Sequence, residues 1–216
     1  MGPESKYFDL EAFKNDSPER NYWLGFLTAD GCVLDNSHLS QNPQIQLTLA
    51  DQMHVVAFKE FTKSEAKICE PRKGHASLTI RSKELAELLY EYHIVPRKSL
   101  KERAPDSLKM DSDYWRGVID GDGCLGVNKR GFPRLELVGS KDLCEGFLSF
   151  VKTLAPTKVS LTKDKRTEGL YRVQLCGLWV KRVVEALYSG AEVALDRKAE
   201  IDKSILAVKG KRGAYV

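Results

Sequence analysis

Two aspartates, Asp30 and Asp122, hold the same place in two copies of one motif. The first copy is Tyr22-Trp23-Leu24-Gly25-Phe26-Leu27-Thr28-Ala29-Asp30-Gly31-Cys32. The second, 92 positions later, is Tyr114-Trp115-Arg116-Gly117-Val118-Ile119-Asp120-Gly121-Asp122-Gly123-Cys124. Six of the eleven positions are identical, and an internal repeat predicts a pseudo-symmetric architecture. If both copies are helices packed side by side in parallel, the two acids emerge together at their C-terminal ends. There they repel each other and face the negative ends of both macrodipoles. Hard divalent cations with oxygen ligands, Mg²⁺ above all, relieve that conflict. The same residues would also serve as two ordinary Asp-Gly turns that never meet.

The flanking residues decide whether these are helices. Ser17-Pro18-Glu19 and Asp111-Ser112-Asp113 are start signals, each an N-cap side chain ahead of the first turn. The Asp-Gly pairs are stop signals, because glycine accepts the left-handed conformation of a helix end. Gly25 and Ala29, like Gly117 and Gly121, sit four apart. That spacing lays two small residues on one face, where a second helix backbone can approach closely. Glycine inside a helix costs about 1 kcal/mol, so repeating the choice in both copies points to packing between them.

Trp23–Gly31 and Trp115–Gly123 resemble the paired motifs of the LAGLIDADG homing endonucleases. The resemblance implies that the two helices form the interface between half-domains and that Asp30 and Asp122 bind the catalytic metals. It also implies that the Ala29 and Gly121 carbonyls help hold the ions. The ion implied is Mg²⁺, with Mn²⁺ as a substitute and Ca²⁺ bound without cleavage. Thr28 departs from the pattern, standing where an acid is commoner, at a position that is not the metal ligand. Arg97-Lys98 and Arg197-Lys198 recur one hundred residues apart. By the same resemblance Lys98 and Lys198 are the basic residues of the two pockets, stabilising developing charge on phosphate; the other reading is two solvated basic turns. The place of a water-positioning polar residue, at the end of the second strand, holds Leu49 and Gly139.

Composition bounds these readings without selecting one. At 216 residues and 42% apolar content the chain can bury a sizeable core. No apolar run is long enough to span a membrane, and no leader precedes the first element. Five cysteines at 32, 69, 124, 144 and 176 form no CxxC pair. They read as buried thiols of an intracellular, reducing compartment. The four histidines form no HExxH and read as structural. A net charge of +4 favours nucleic acid only slightly.

Period-two alternation gives the strands and period-3.6 runs the helices. A short helix is expected over 5–14, strand Gln44–Leu49, a helix from Ala50 to about Ser64, a hairpin of Lys67–Pro71 with Ala76–Arg81, and a helix from Ser82 to Tyr92. The second half repeats the order. Strands Cys124–Asn128 and Arg134–Val138, a helix through Leu143–Val151, strands Lys158–Lys163 and Leu170–Cys176, and helix Trp179–Tyr188 are followed by a last helix, Asp196–Val208. The fold class is α+β, two pseudo-symmetric αββαββα half-domains, each with a curved antiparallel sheet. Their expected bounds are an N-terminal helical segment 1–16, half-domains 17–99 and 111–208, a linker 100–110 and a basic tail 209–216 that includes Lys209.

One face of the strands is apolar. On the other lie Gln44, Gln46, Thr48, Ser77, Thr79, Arg81, Arg134, Glu136, Lys158, Ser160, Arg172 and Gln174, with Arg72, Lys73, Asn128 and Arg130 at or beside the turns. Such side chains read base edges in the major groove, and a solvated sheet face has the same look. Gly121–Gly126 matches GxGxxG, but follows a helix and opens a strand, the reverse of a dinucleotide site. Asp120–Gly123 lacks the remaining ligands of a calcium loop.

With the resemblance, the function expected is a single-chain, monomeric, metal-dependent endonuclease cutting a long asymmetric DNA duplex, as in intron homing. The rivals are an RNA maturase acting on intron RNA and a DNA-binding regulator that does not cut.

Overall fold

The computed structural model describes residues 6–35, 41–156, 158–165 and 167–208; the basic tail and residues 1–5 lie outside them. Each motif is a helix, as expected. Helix α2 (Pro18–Ala29) starts where Ser17 Oγ accepts from the Arg20 amide at 3.1 Å, with Pro18 at its first position. Helix α5 (Ser112–Asp122) starts where Asp111 Oδ1 accepts from the Tyr114 amide at 2.7 Å. The free carboxylate oxygen of Asp111 then accepts from Asn21 Nδ2 at 2.9 Å, tying the two N-termini together.

The helices pack in parallel with their backbones touching. A methyl group at Gly25 would lie 1.9 Å from the Tyr114 carbonyl oxygen, and one at Gly117 would lie 2.0 Å from the Tyr22 carbonyl oxygen. No side chain fits at either place. The glycines after the acids act differently from the expectation. Neither Gly31 nor Gly123 has positive φ, and Gly123 is extended at φ −75°, ψ 152°. The reason for glycine is steric: a Cβ at Gly31 would meet the Leu27 carbonyl at 2.6 Å, and one at Gly123 the Ile119 carbonyl at 2.6 Å.

Around this pair each half builds one four-stranded antiparallel sheet. In the first, β1 (Cys32–Leu34), β2 (Gln44–Leu49), β3 (Cys69–Arg72) and β4 (His75–Arg81) run in the order β1-β2-β4-β3. In the second, β5 (Cys124–Val127), β6 (Pro133–Gly139), β7 (Thr162–Lys163) and β8 (Tyr171–Cys176) run β5-β6-β8-β7. Helices α3 (Gln52–Phe61), α4 (Lys83–Glu91), α6 (Lys141–Leu154) and α7 (Trp179–Tyr188) complete the two αββαββα units. Helix α8 (Asp196–Ala207) follows, and its Arg197 Nε reaches Asp51 Oδ2 of the first half at 3.2 Å.

Alternation sorts the strand residues as predicted. Ile45, Leu47, Leu78, Ile80, Leu135, Leu137, Val173 and Leu175 are buried against the helices. Trp23 and Trp115 centre the two cores, the first against Phe58 at 5.0 Å and the second against Phe147 at 5.2 Å between ring centroids.

Three expectations fail. The first helix, α1, spans only Glu11–Lys14; the residue before Pro18 is pushed out of helical conformation, which sets a limit downstream, while Asp9 Oδ1 bonds the Glu11 amide at 3.0 Å and sets the start. The strand expected over Lys158–Lys163 is paired only at Thr162 and Lys163. As an edge strand beside Pro156 it is cut short, the usual way of limiting an open ladder, so Lys158 and Ser160 do not lie on a sheet. Four of the five cysteines, Cys32, Cys69, Cys124 and Cys176, are exposed and only Cys144 is buried, because they fall on the outward strand positions or at sheet margins. All five are free.

Candidate metal and nucleic-acid site

Asp30 caps α2 and Asp122 ends α5. A methyl group at Gly121 would lie 2.4 Å from Ala29 Cβ and 3.4 Å from Asp30 Oδ2, so the two acids emerge side by side. Both carboxyls open to solvent on one side and are walled by protein on the others. That partial burial pushes Asp122 up to about 6, with the Asp30 charge adding to it and Lys98 opposing. Burial raises Asp30 as well, against the pull of Lys98 and Lys198. Among the described residues neither carboxylate has a hydrogen-bond or ion-pair partner.

This donor set suits a cation completed by substrate rather than a closed protein cage. Among the described residues no three His, Cys, Asp or Glu side chains group as a metal site. Mg²⁺ is commonly held by one or two carboxylates, waters and phosphate oxygens, and two unpartnered carboxylates at paired helix ends match that pattern.

Both predicted lysines reach the site, by different routes. Lys98 Nζ donates to the Ala29 carbonyl at 2.6 Å. It is carried by a loop in which His93, Arg97 and Leu100 have positive φ, an uncommon state for such residues. Lys198 lies in the first turn of α8 rather than after a helix. It is buried and donates to the Asp120 and Gly123 carbonyls at 2.8 and 2.7 Å, and to that of Ile119. Burial lowers its ammonium to about 8, with Asp120 pulling the other way. Both lysines therefore cap carbonyls at helix ends, where a cation is favoured. The Ala29 carbonyl, expected to face a metal, is occupied by Lys98.

Behind the exposed acids sits a buried one, Asp120, whose role its place in the sequence does not announce. Asp120 accepts from Tyr22 Oη at 2.9 Å, Tyr188 Oη at 2.6 Å and the Leu195 amide at 2.7 Å. Tyr22 Oη also meets His54 Nε2 at 2.8 Å, and burial holds that imidazole down at about 4. The only sequence signal for this network was the acid two residues before Asp122. Glu102, in the linker, raises Asp122 and has a buried Oε2 with no partner among the described residues; nothing in the sequence marked it.

The outward sheet faces continue directly from the acids. Cys32 and Cys124, two residues beyond, pair with Gln46 and Glu136. Gln44, Gln46, Thr48 and Thr79 are half-buried there, Arg81 and Gln174 are exposed, and Arg72, Lys73 and Arg130 are exposed at hairpin turns. Other candidates are spent internally. Ser77 is buried, its hydroxyl 2.7 Å from that of Thr48. Asn128 Oδ1 accepts from the Arg130 and Phe132 amides at 2.9 and 3.1 Å, so it shapes the hairpin turn. Glu136 is buried and bonds two arginines, Arg134 and Arg172.

Two pseudo-symmetric sheet-and-helix halves joined through paired helices, with an acid at each helix end, define the two-domain α+β meganuclease fold. Among solved structures, the chain is similar to the LAGLIDADG meganuclease I-AabMI bound to uncleaved DNA, at 14% identity over 89% of this chain and 90% of that one, with a TM-score of 0.59. It is similar to the I-LtrWI LAGLIDADG homing endonuclease bound to target DNA, at 11% identity over 88% and 90%, with a TM-score of 0.58. It is also similar to the I-SmaMI LAGLIDADG homing endonuclease bound to cleaved DNA, at 14% identity over 88% of each, with a TM-score of 0.55. At such identities the likeness is one of fold. No family model and no curated protein matches the sequence.

Proposed function

We propose that this chain is a site-specific, metal-dependent endonuclease of the homing type, cutting both strands of a long asymmetric duplex. The observation that carries the reading is the pair Asp30 and Asp122, left without protein partners side by side at two helix ends. Supporting it are two polar sheet faces that begin two residues beyond those acids and neighbours of the same fold that are bound to DNA. A bound divalent cation, Mg²⁺ or Mn²⁺, would polarise a scissile phosphate and lower the pKa of an attacking water.

Asp30 and Asp122 supply the anionic ligands, Lys98 and Lys198 set positive charge beside them, and the paired helices fix their separation. Each sheet follows the groove for roughly one helical turn, which makes the target about 20 base pairs. Both acids come from one chain, so a monomer suffices, and the two sheets differ, so the target need not be palindromic. Five free cysteines suit a reducing compartment.

Selection of cleaved sites from a random duplex library with Mg²⁺ tests this directly. One site family should emerge, and Asp30→Asn or Asp122→Asn should abolish double-strand cutting with the fold intact. Robust cutting by either single mutant rejects the assignment. Intron RNA bound more tightly than any selected duplex would instead favour the maturase role.

A further inference from the structure

On the outward face of the second sheet a single carboxylate oxygen holds two guanidinium groups. Glu136 Oε2 accepts from Arg134 Nη2 at 2.6 Å and from Arg172 Nη1 at 3.4 Å. Arg172 Nη2 donates to Asp164 Oδ2 on its other side at 2.5 Å. The acids lie below and the arginines above: side-chain exposure is 11% for Glu136 and 1% for Asp164, against 40% for Arg134 and 25% for Arg172. An acid exposed on this face would repel phosphate; these are covered by the cations they hold.

The strand register explains the convergence. Arg134 and Glu136 are two apart on β6, on one face, and Glu136 pairs with Gln174. Arg172 is two residues from Gln174 on β8, hence diagonal to Glu136, within reach of a long side chain. The matching places of the first sheet hold different residues. Matching the registers, with Cys32 opposite Gln46 as Cys124 is opposite Glu136, puts Gln44, Gln46 and Ser77 where the second sheet has Arg134, Glu136 and Arg172. All three counterparts are uncharged.

An arginine has five N–H donors, and the ion pairs take one from Arg134 and two from Arg172. The Arg134 Nε is buried, so the donors that Arg134 has left for an outside acceptor are those of its terminal nitrogens, on a side chain 40% exposed. A guanidinium fork with free donors, fixed in direction, matches the O6 and N7 acceptors of guanine in the major groove. Because both forks bond one oxygen, they sit within about two base steps of 3.4 Å.

We propose that Glu136 is a positioning residue that aims Arg134 and Arg172 at two guanines, adjacent or one base pair apart, in the half-site covered by the second sheet. Asp164 steadies Arg172 from the other side. The half-site under the first sheet has no equivalent guanine pair. This rests on the duplex-DNA reading above and adds to it a specified base preference and a residue that sets it without touching a base.

The test is a binding profile of the full chain, in EDTA, across every single-base variant of a duplex selected by the wild type. Guanine should be preferred about tenfold or more at the two positions. Arg134→Lys and Arg172→Lys keep the charge and lose the fork, so each should flatten one position while the salt dependence stays. Glu136→Gln should flatten both, with the other positions unchanged and the unfolding midpoint checked alongside. Should Glu136→Gln fail to fold, Asp164→Asn carries the same question for the Arg172 position alone. A wild type that binds a defined duplex without the guanine pair overturns the inference and leaves the DNA reading standing. Flattening by the arginine variants but not by Glu136→Gln, or in the fallback not by Asp164→Asn, removes the positioning role. Failure of the wild type to select any duplex overturns both.

Discussion

Tyr22 donates its hydroxyl across the helix pair to Asp120 Oδ2 at 2.9 Å, and its repeat partner Tyr114 donates to Thr28 Oγ1 at 3.2 Å. The two contacts are one contact, repeated by the pseudo-symmetry, with different acceptors. The acid collects two more donors, Tyr188 Oη and the Leu195 amide, and so fixes the approach to α8. Thr28 instead turns its hydroxyl to the Leu24 carbonyl at 2.8 Å, within its own helix. Asp120→Ala should therefore cost about 3 kcal/mol or more, since it strands the buried Tyr188 hydroxyl and Leu195 amide and leaves Tyr22 only His54, while Thr28→Ala should cost about 1 kcal/mol. Urea unfolding midpoints compare them, and equal losses would mean the network is not what holds α8.

The helix contact admits no side chain. Gly25→Ala and Gly117→Ala force a methyl within 1.9 and 2.0 Å of a backbone carbonyl, and backbone cannot rotate aside as a side chain can. Overpacking of this kind costs about 3 kcal/mol or more, and the helix ends should splay, abolishing cutting. Gly126 is the control: nothing lies within 4 Å of its added methyl, and its φ is not positive. Thermal melts should show Gly126→Ala unchanged or slightly raised, and a similar loss at all three positions would remove the packing argument.

How much of this was legible in the sequence follows from how local the physics is. Periodicity is a local property, so the sheet faces could be read from Gln44–Leu49 and Arg134–Val138, and the helix pair from the two motif copies with their start signals. The acids were legible because a repeated residue at a repeated helix end is a geometric statement. Partner choice is not local. Nothing near Glu136 says that its charge is turned inward between Arg134 and Arg172, nor does Lys198 announce three backbone carbonyls 75 or more residues away. Gly31 and Gly123 were recognised as obligatory for the wrong reason, because a steric demand and a dihedral demand leave the same letter.

The two motif tryptophans separate a hydrogen bond from burial. Both are fully buried, but Trp115 Nε1 donates to the Lys109 carbonyl at 2.8 Å, whereas Trp23 Nε1 has no partner among the described residues. Trp→Phe removes the same volume from each core, so the difference isolates the indole donor. Trp115→Phe should be the more destabilising by about 1 kcal/mol. Parity in chemical unfolding would show that the Lys109 contact contributes nothing net.

Lys98 and Lys198 are equivalent in the repeat and unequal in their surroundings. Lys198→Ala uncaps three carbonyls in a buried setting and should cost about 1–3 kcal/mol; Lys98→Ala frees one at a half-buried position and should cost less than about 1 kcal/mol. On a duplex with each strand labelled separately, Lys98→Ala should slow one strand's cut without lowering the melting temperature. If both variants slow both strands equally, the lysines are not each tied to one centre.

The last prediction concerns the charge left unresolved at the helix ends. Burial raises Asp30, and raises Asp122 to about 6 from an ordinary value of 3.8, with the neighbouring acid contributing. A carboxyl raised in the folded state contributes stability that is fully present below its unfolded value and is lost as pH rises through the folded one. For Asp122 that window runs from 3.8 to about 6, so above it the metal-free protein carries two neighbouring charges that solvent and the pull of Lys98 and Lys198 only partly relieve. Asp122→Asn should then raise the metal-free melting temperature above about pH 7, and give no advantage below about pH 4. The gain should be about 1 kcal/mol, since an exposed carboxylate is screened, which in a chain of this size is about 2–4 °C. A divalent cation should raise the wild-type melting temperature in the same upper range, by binding the folded state alone, and should do little for Asp122→Asn. Melts of both proteins across pH, in EDTA and with excess Ca²⁺, give all four curves. If wild type and variant run parallel at every pH, the two carboxylates do not share a field, and the cation site assigned to them is lost.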